Sequence, residues 1–249
     1  MAISYGRTDI ETPIHADIKE TISHGIIVSN LAYLVGKELG LQEEVCYDLA
    51  VAGMLHDLGK VRLNFYMNEK VEDPSDDRNY NCTVVINSDG EIVSTYHKTH
   101  LYDAFGYKES DDNKPGDHFF EPIDTPFGKI GLFVCYEVRF PEVARYQRSK
   151  GADIIIMPTA WVPGPLKSPQ FRTLISARAI ENTVYMVACD QVGANAMGES
   201  VVVDPMGVVV ASAGEVETLI CAEIDTDRVE KVRAKLPAYK DRRPELYTI

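Results

Sequence analysis

Over the front of the chain, apolar side chains recur at intervals of three and four, from Ile18 to Leu39 and again from Glu43 to Leu58. That spacing predicts amphipathic helices, with Gly40 stopping the first. The pattern then breaks. In the stretch from Asn68 to Asn81, the run Glu69-Lys70-Val71-Glu72-Asp73-Pro74-Ser75-Asp76-Asp77-Arg78 carries turn formers and charge but little apolar periodicity, and a domain boundary is expected there. Beyond it the period becomes that of strands. Thr83 to Ile86, the turn signal Asn87-Ser88-Asp89-Gly90 and Glu91 to Tyr96 predict a hairpin. Further strands are expected at Ile130 to Val134, Asp153 to Met157, Thr183 to Ala188, Ser200 to Val203 and Val208 to Ala211. Helices are expected at Pro141 to Lys150, Pro169 to Asn182 and Thr226 to Ala234. The chain therefore reads as an all-helical segment over 1–68 followed by an α/β domain over 69–249.

Composition narrows the function classes. With 45% hydrophobic and 25% charged residues, the 249-residue chain has the make-up of a folded globular protein. A formal charge of −13, without clustered Lys and Arg, argues against nucleic acid as a partner. The cysteines Cys46, Cys82, Cys135, Cys189 and Cys221 are odd in number, scattered and free of CxxC spacing, which favours buried thiols in a reducing compartment. The sequence shows no basic-then-apolar leader, and the apolar run Ile154 to Met157 is far shorter than a bilayer crossing. The expectation is a cytoplasmic protein with no membrane partner.

The candidate chemistry centres on Cys135, placed where the apolar run Ile130-Gly131-Leu132-Phe133-Val134 ends and a helix is expected to begin. A lone cysteine in a strand is usually structural, but a thiol at a strand end near a lysine or a helix N-terminus can form the reactive thiolate. The segment Cys135-Tyr136-Glu137-Val138-Arg139-Phe140-Pro141-Glu142 resembles the nucleophile motif of the nitrilase superfamily of carbon–nitrogen hydrolases. Tyr96-His97-Lys98-Thr99-His100-Leu101-Tyr102-Asp103 resembles that family's lysine motif. The resemblance continues in order through Gly116-Asp117, Asp153-Ile154 to Pro158, Arg178-Ala179-Ile180-Glu181-Asn182, Val203-Asp204-Pro205-Met206-Gly207 and Arg242-Arg243-Pro244-Glu245-Leu246-Tyr247.

The resemblance implies a partial α-β-β-α nitrilase-type sandwich lacking its first strands. It makes Cys135 the nucleophile. Lys98 and the amide of Tyr136 bind the developing oxyanion, and Glu109 is the glutamate that orients the lysine and the hydrolytic water. As a loop acid, Glu109 could equally be solvated. Trp161 and Phe171 lie near the family's substrate-pocket segment, although single aromatics are more often packing residues. The family's further general-base glutamate has no counterpart in a strand-end context here, and losing such a base commonly costs about 10²–10⁴-fold in rate. No cofactor is implied for this segment. The expected activity is hydrolysis of a small amide through an acyl-enzyme on Cys135, in a homo-oligomer.

The front segment has a resemblance of its own. Ser23-His24-Gly25 and Leu55-His56-Asp57-Leu58-Gly59-Lys60 resemble the start of an HD-domain metal phosphohydrolase. This implies a divalent metal held by His24, His56 and Asp57, with imidazole and carboxylate ligands suited to iron or manganese. The aspartate that completes such a site on a later helix has no counterpart, so the segment is incomplete as well. Metal-dependent phosphohydrolysis and a catalytically inactive fusion stand as the alternatives.

Overall fold

The computed structural model describes Lys37 and residues 67–72, 75–86 and 92–247. Lys37 is helical, within the first expected helix. The remainder of that helix, the second expected helix and the turn at Asn87 to Gly90 lie outside the described residues. The chain divides into two compact units, Met1–Met67 with Cys82–Thr95, and Asn68–Asn81 with Tyr96–Ile249.

The first unit contains parts of β2 (Asn79–Ile86) and β3 (Ile92–His97), which follow β1 (Met67–Lys70) in the chain and are hydrogen-bonded neighbours. Cys82 and Thr83 are buried there. The β-branched run Thr83-Val84-Val85-Ile86 suits a pleated, half-buried surface.

The second unit opens within β1, so the charged run begins in a strand. A strand at a sheet edge tolerates charge that points to water. Glu69 is exposed and its carboxylate meets His97 Nε2 at 2.8 Å. The start of β2 pairs in parallel with β4 (Asn113–Lys114), Asn79 opposite Asn113 and Tyr80 opposite Lys114.

The core of this unit is a six-stranded sheet of β5 (Ile123–Thr125), β6 (Gly128–Leu132), β7 (Ile154–Thr159), β8 (Tyr185–Asp190), β11 (Val201–Val203) and β12 (Val209–Ser212), in the order β12-β11-β8-β7-β6-β5. A separate two-stranded ribbon joins β9 (Val192–Gly193) to β10 (Ala196–Met197). β6, β7 and β8 run parallel, and β5 and β11 flank them antiparallel. The central strand β7 reads Ile-Ile-Ile-Met-Pro-Thr, a continuous apolar run of the kind found where both faces of a parallel strand are covered.

Crossovers carry α1 (Pro141–Ser149) between β6 and β7 and α2 (Lys167–Asn182) between β7 and β8, while α3 (Thr226–Lys235) follows β12. Phe133, Val138, Val143, Ile155, Met157, Phe171, Ile175 and Met186 form one buried cluster, and Ile154, Tyr185, Val202 and Val229 form another. Neighbouring residues of β7 thus belong to different clusters, as alternation along a strand requires. Trp161 and Phe171 are both buried, with ring centroids 5.3 Å apart, so both do packing work.

Several expected boundaries move. α2 begins at Lys167 rather than Pro169, because a proline in the first turn lacks only an N–H that the helix does not use there. Thr183 takes a left-handed conformation (φ 51°) that caps α2, so β8 starts at Tyr185. β7 runs on to Thr159 and β2 begins earlier, at Asn79. Among the cysteines, Cys82 is buried, Cys135 and Cys189 are half-buried and Cys221 is exposed, so burial as a common property does not hold. No helix among the described residues is long and apolar enough to cross a membrane.

Candidate active site

After β6 the chain passes through buried Phe133 and Val134, then turns sharply. Cys135 has φ 47° and opens a short 3₁₀ turn, Cys135–Arg139, before α1. Left-handed backbone is uncommon for a residue with a side chain and persists only where its surroundings hold it. The expected strand-to-helix junction is therefore present, with a tight turn inserted. It lies beyond the carboxyl ends of the parallel strands, where Thr159 and Asp190 end β7 and β8 as register partners.

Burial pushes the Cys135 thiol above its ordinary pKa, the Lys98 ammonium opposes that, and the Asp190 carboxylate adds to it. Burial also pushes Asp190 up to about 7, against backbone amides that favour its charged form. Its oxygens accept from Trp161 N at 2.8 Å and Gly198 N at 3.1 Å.

Lys98 follows β3 in an extended strap. Its amide donates to Asn81 O and its carbonyl accepts from Gly116 N, both at 2.9 Å. Lys98 is 3% exposed and Glu109 4%, with Nζ to Oε2 at 2.6 Å. Glu109 also accepts from Asn81 Nδ2 at 2.8 Å and from the Tyr102 amide at 2.6 Å. Glu109 is thus buried against Lys98 rather than solvated. An ion pair with so many additional hydrogen bonds fixes the ammonium in place.

A third buried carboxylate has no role in the sequence reading. Glu137 is fully buried inside the 3₁₀ turn. Oε2 accepts from Val134 N at 2.7 Å, and Oε1 accepts from Tyr96 Oη at 2.6 Å, Thr99 Oγ1 at 2.5 Å, Thr99 N at 3.0 Å and His100 N at 3.3 Å. Burial alone would raise its pKa, but the donors around it, with His100 and Thr99 foremost, hold the carboxyl below the usual range. Glu137 thereby joins the segment that carries Cys135 to the residues on either side of Lys98. The only sequence signal for it is the acidic position two residues after the cysteine.

Arg178 in α2 supports the turn from behind, donating Nε to Val138 O at 2.9 Å and Nη1 to Glu181 at 2.8 Å. This gives the Arg178-Ala179-Ile180-Glu181-Asn182 segment a physical role. Within the turn, Glu137 N is bonded to Val134 O, while the first amides of such a turn, including that of Tyr136, have no partner inside it. The arrangement combines a thiol, a fixed ammonium and backbone N–H groups, a set suited to attack on a carbonyl and stabilisation of the resulting oxyanion. His24, His56 and Asp57 lie outside the described residues.

The sequence profile of the carbon-nitrogen hydrolase family matches residues 50–234, a span that includes His56 and Asp57. The chain is 43% identical over 166 residues to the deaminated glutathione amidase of Escherichia coli O157:H7, covering 67% of this chain and 63% of that one. It is 38% identical over 188 residues to the omega-amidase NIT3 of Saccharomyces cerevisiae, covering 71% and 63%. The crystal structure of yeast Nit3, described as a member of branch 10 of the nitrilase superfamily, superposes with a TM-score of 0.60 at 36% identity over 68% of this chain and 62% of that one. A mutant of the Nesterenkonia sp. AN1 amidase, with the acetamide moiety of fluoroacetamide on its active-site cysteine, superposes at 0.59 with 26% identity over 69% and 61%. This chain thus spans a little under two thirds of these relatives' length.

The α/β sheet with its strand-end thiol is of the nitrilase type. The chain belongs to the carbon-nitrogen hydrolase family. An HD-type domain at the front finds no support among the matches.

Proposed function

We propose that the protein hydrolyses the carbon–nitrogen bond of a small amide, with Cys135 as nucleophile, Lys98 and the Tyr136 amide as oxyanion partners and Glu109 as the group that positions Lys98. One observation carries this reading: Cys135 is held in a left-handed turn beside a Lys98 ammonium that Glu109 fixes at 2.6 Å. The relatives named as amidases support it, as does the Nesterenkonia amidase with its modified active-site cysteine.

In the proposed reaction, sulfur bonds to the amide carbon and negative charge gathers on oxygen, facing Lys98 and the Tyr136 N–H. The carbon–nitrogen bond then breaks, and the thiol proton ends on the departing nitrogen. Water cleaves the thioester, restoring the thiol and releasing the acid. Glu109 is the carboxylate that meets Lys98, at 2.6 Å, so we assign proton handling to the Glu109–Lys98 pair. Without a separate base, turnover is expected to be lower by about 10²–10⁴-fold than with one.

The test is ammonia release from a panel of small amides by the whole chain, by Cys135→Ala and by Lys98→Ala, each with and without chelator. Turnover that both substitutions remove and chelator leaves intact is the expected result. No release from folded protein overturns the reading, and release that only chelator stops transfers the activity to a metal site.

A further inference from the structure

Asp190, the last residue of β8, is 5% exposed, and among the described residues no ammonium or guanidinium lies within 4.0 Å of its carboxylate. Carboxylates are seldom buried without a cation, and here backbone amides take the cation's place. Those of Trp161 and Gly198 donate to its two oxygens, and those of Glu199 and Gln191 also favour its charged form.

These bonds fix the backbone beside the thiol. Asp190 is the register partner of Thr159, whose hydroxyl favours a charged sulfur at Cys135, as does the amide of Ala160. Trp161 comes next in the chain and gives its amide to Asp190 Oδ1, so the carboxylate holds the end of β7 where it meets the nucleophile. Oδ2 holds Gly198, and the Asp190 amide donates to Ser200 Oγ at 2.9 Å, which fastens the segment after β10 to the same point.

The charges do not balance once the sulfur ionises. Lys98 is matched by Glu109 at 2.6 Å, which leaves the Asp190 carboxylate and a Cys135 thiolate as two like charges in one buried region. The neighbouring strands β7 and β11 contain no charged residue. Charged groups on the other surrounding elements are already engaged. Glu199 accepts from Ser168 Oγ at 2.8 Å and Arg172 Nε at 3.0 Å, and Arg178 pairs with Glu181 at 2.8 Å. In the turn after β6, Glu137 has its own donors, and Arg139 lies 4.9 Å from the Trp161 ring and donates to Gln170 Oε1 at 2.9 Å. Lys167, buried at the start of α2, bonds Tyr102 Oη at 3.0 Å, with the rings of Phe105 at 3.8 Å, Tyr102 at 5.4 Å and Trp161 at 5.8 Å around it.

We propose that Asp190 is a positioning residue for the nucleophile: its carboxylate pins the Thr159-Ala160-Trp161 backbone beside the sulfur and sets a negative charge against the one a Cys135 thiolate would carry. The inference takes Cys135 as the nucleophile of the reading above, and its tests read the thiol rather than turnover, so either can fail alone. Because Asp190 ionises at about 7, it opposes the thiolate above neutrality and not well below it. The resting sulfur is thereby kept as a thiol, the form that resists oxidation and alkylation.

Two measurements test it. In the first, the rate of iodoacetamide alkylation at Cys135 is followed by peptide mass analysis from about pH 6 to about pH 9.5 in the whole chain, Asp190→Asn and Asp190→Glu. Asp190→Asn is expected to match the whole chain at about pH 6 and to react about threefold to tenfold faster above about pH 8. Asp190→Glu keeps the charge and is expected to stay within about twofold of the whole chain throughout. The second needs no substitution. In protein labelled with 13C at the aspartate carboxyl carbons, the carboxyl that titrates at about 7 is expected to move to higher pH when iodoacetate leaves a charged group on Cys135, and to move far less when iodoacetamide leaves a neutral one.

A rate ratio between Asp190→Asn and the whole chain that is the same at every pH marks a structural role alone and overturns the proposal. Slower alkylation of Asp190→Asn overturns it too, as does an aspartate titration indifferent to the charge on the sulfur. If both results are as expected while the whole chain hydrolyses no amide, the functional reading fails and the coupling of Asp190 to Cys135 stands.

Discussion

Lys98 Nζ and Glu109 Oε2 lie 2.6 Å apart, both almost wholly withdrawn from solvent, although Lys98 sits in an irregular strap and Glu109 opens a separate 3₁₀ turn. A buried ammonium and carboxylate this close depend on each other, because either one alone would be a charge without compensation. Glu109→Gln keeps the shape and removes the charge. It is expected to lower kcat on any amide substrate by about 10²-fold or more, a size typical of losing an acid–base participant, with KM changed far less. Steady-state kinetics on the folded variant checks this, and an unaltered kcat would remove Glu109 from the mechanism.

The electrostatics of Cys135 set a pH dependence. Burial raises the thiol and Lys98 counters it, so replacing Lys98 by Met must raise it further. The rate of iodoacetamide alkylation should therefore climb with pH through the alkaline range in the whole chain. In Lys98→Met the rise should be displaced to still higher pH. Superimposable profiles would show that the ammonium does not act on the sulfur.

Glu137 links the nucleophile turn to the residues around Lys98 through four hydrogen bonds of 3.3 Å or less, and a fifth from Val134 N holds it within its own turn. Glu137→Gln places an amide hydrogen against donors and is expected to cost about 3 kcal/mol of stability, as breaking a buried charged network does. The sign of the pH effect follows from the depressed carboxyl in the fold. Its stabilisation is complete above the unfolded carboxylate's pKa and is lost as pH falls through the lower folded value. Denaturant melts over the acid range should show the whole chain losing its advantage over Glu137→Gln as the pH drops.

Gly116 abuts the strap from the other side. A Cβ there would stand 2.3 Å from the His97 carbonyl oxygen, a backbone atom that cannot turn aside. Gly116 N also donates to Lys98 O, so relief of the clash must displace the lysine segment. Gly116→Ala is expected to reduce kcat together with stability by about 1–3 kcal/mol. Unchanged kinetics and melting would show that the strap can shift without consequence.

How much of this is legible without the structure differs from residue to residue. The strand-end position of Cys135 is readable because the apolar run before it and Pro141 after it are local signals, and β6 and α1 bracket it as expected. The association of Lys98 with Cys135 comes from family order, since no local pattern can place residues so far apart in sequence. Glu109 stays undecided in the sequence because its burial depends on Asn81 and Tyr102, partners that its own neighbourhood does not announce. Glu137 and Lys167 escape notice for the same reason: a charged residue next to a turn or at a helix start looks solvated until tertiary contacts enclose it. The strand β1 is hidden under charge that an edge position permits.

α2 carries Lys167 as its first residue and Arg178, the support of the Cys135 turn, further along. Sixteen residues of uninterrupted helix do not stretch or compress, so the aromatic surround of Lys167 and the support of the Cys135 turn are held at one fixed spacing.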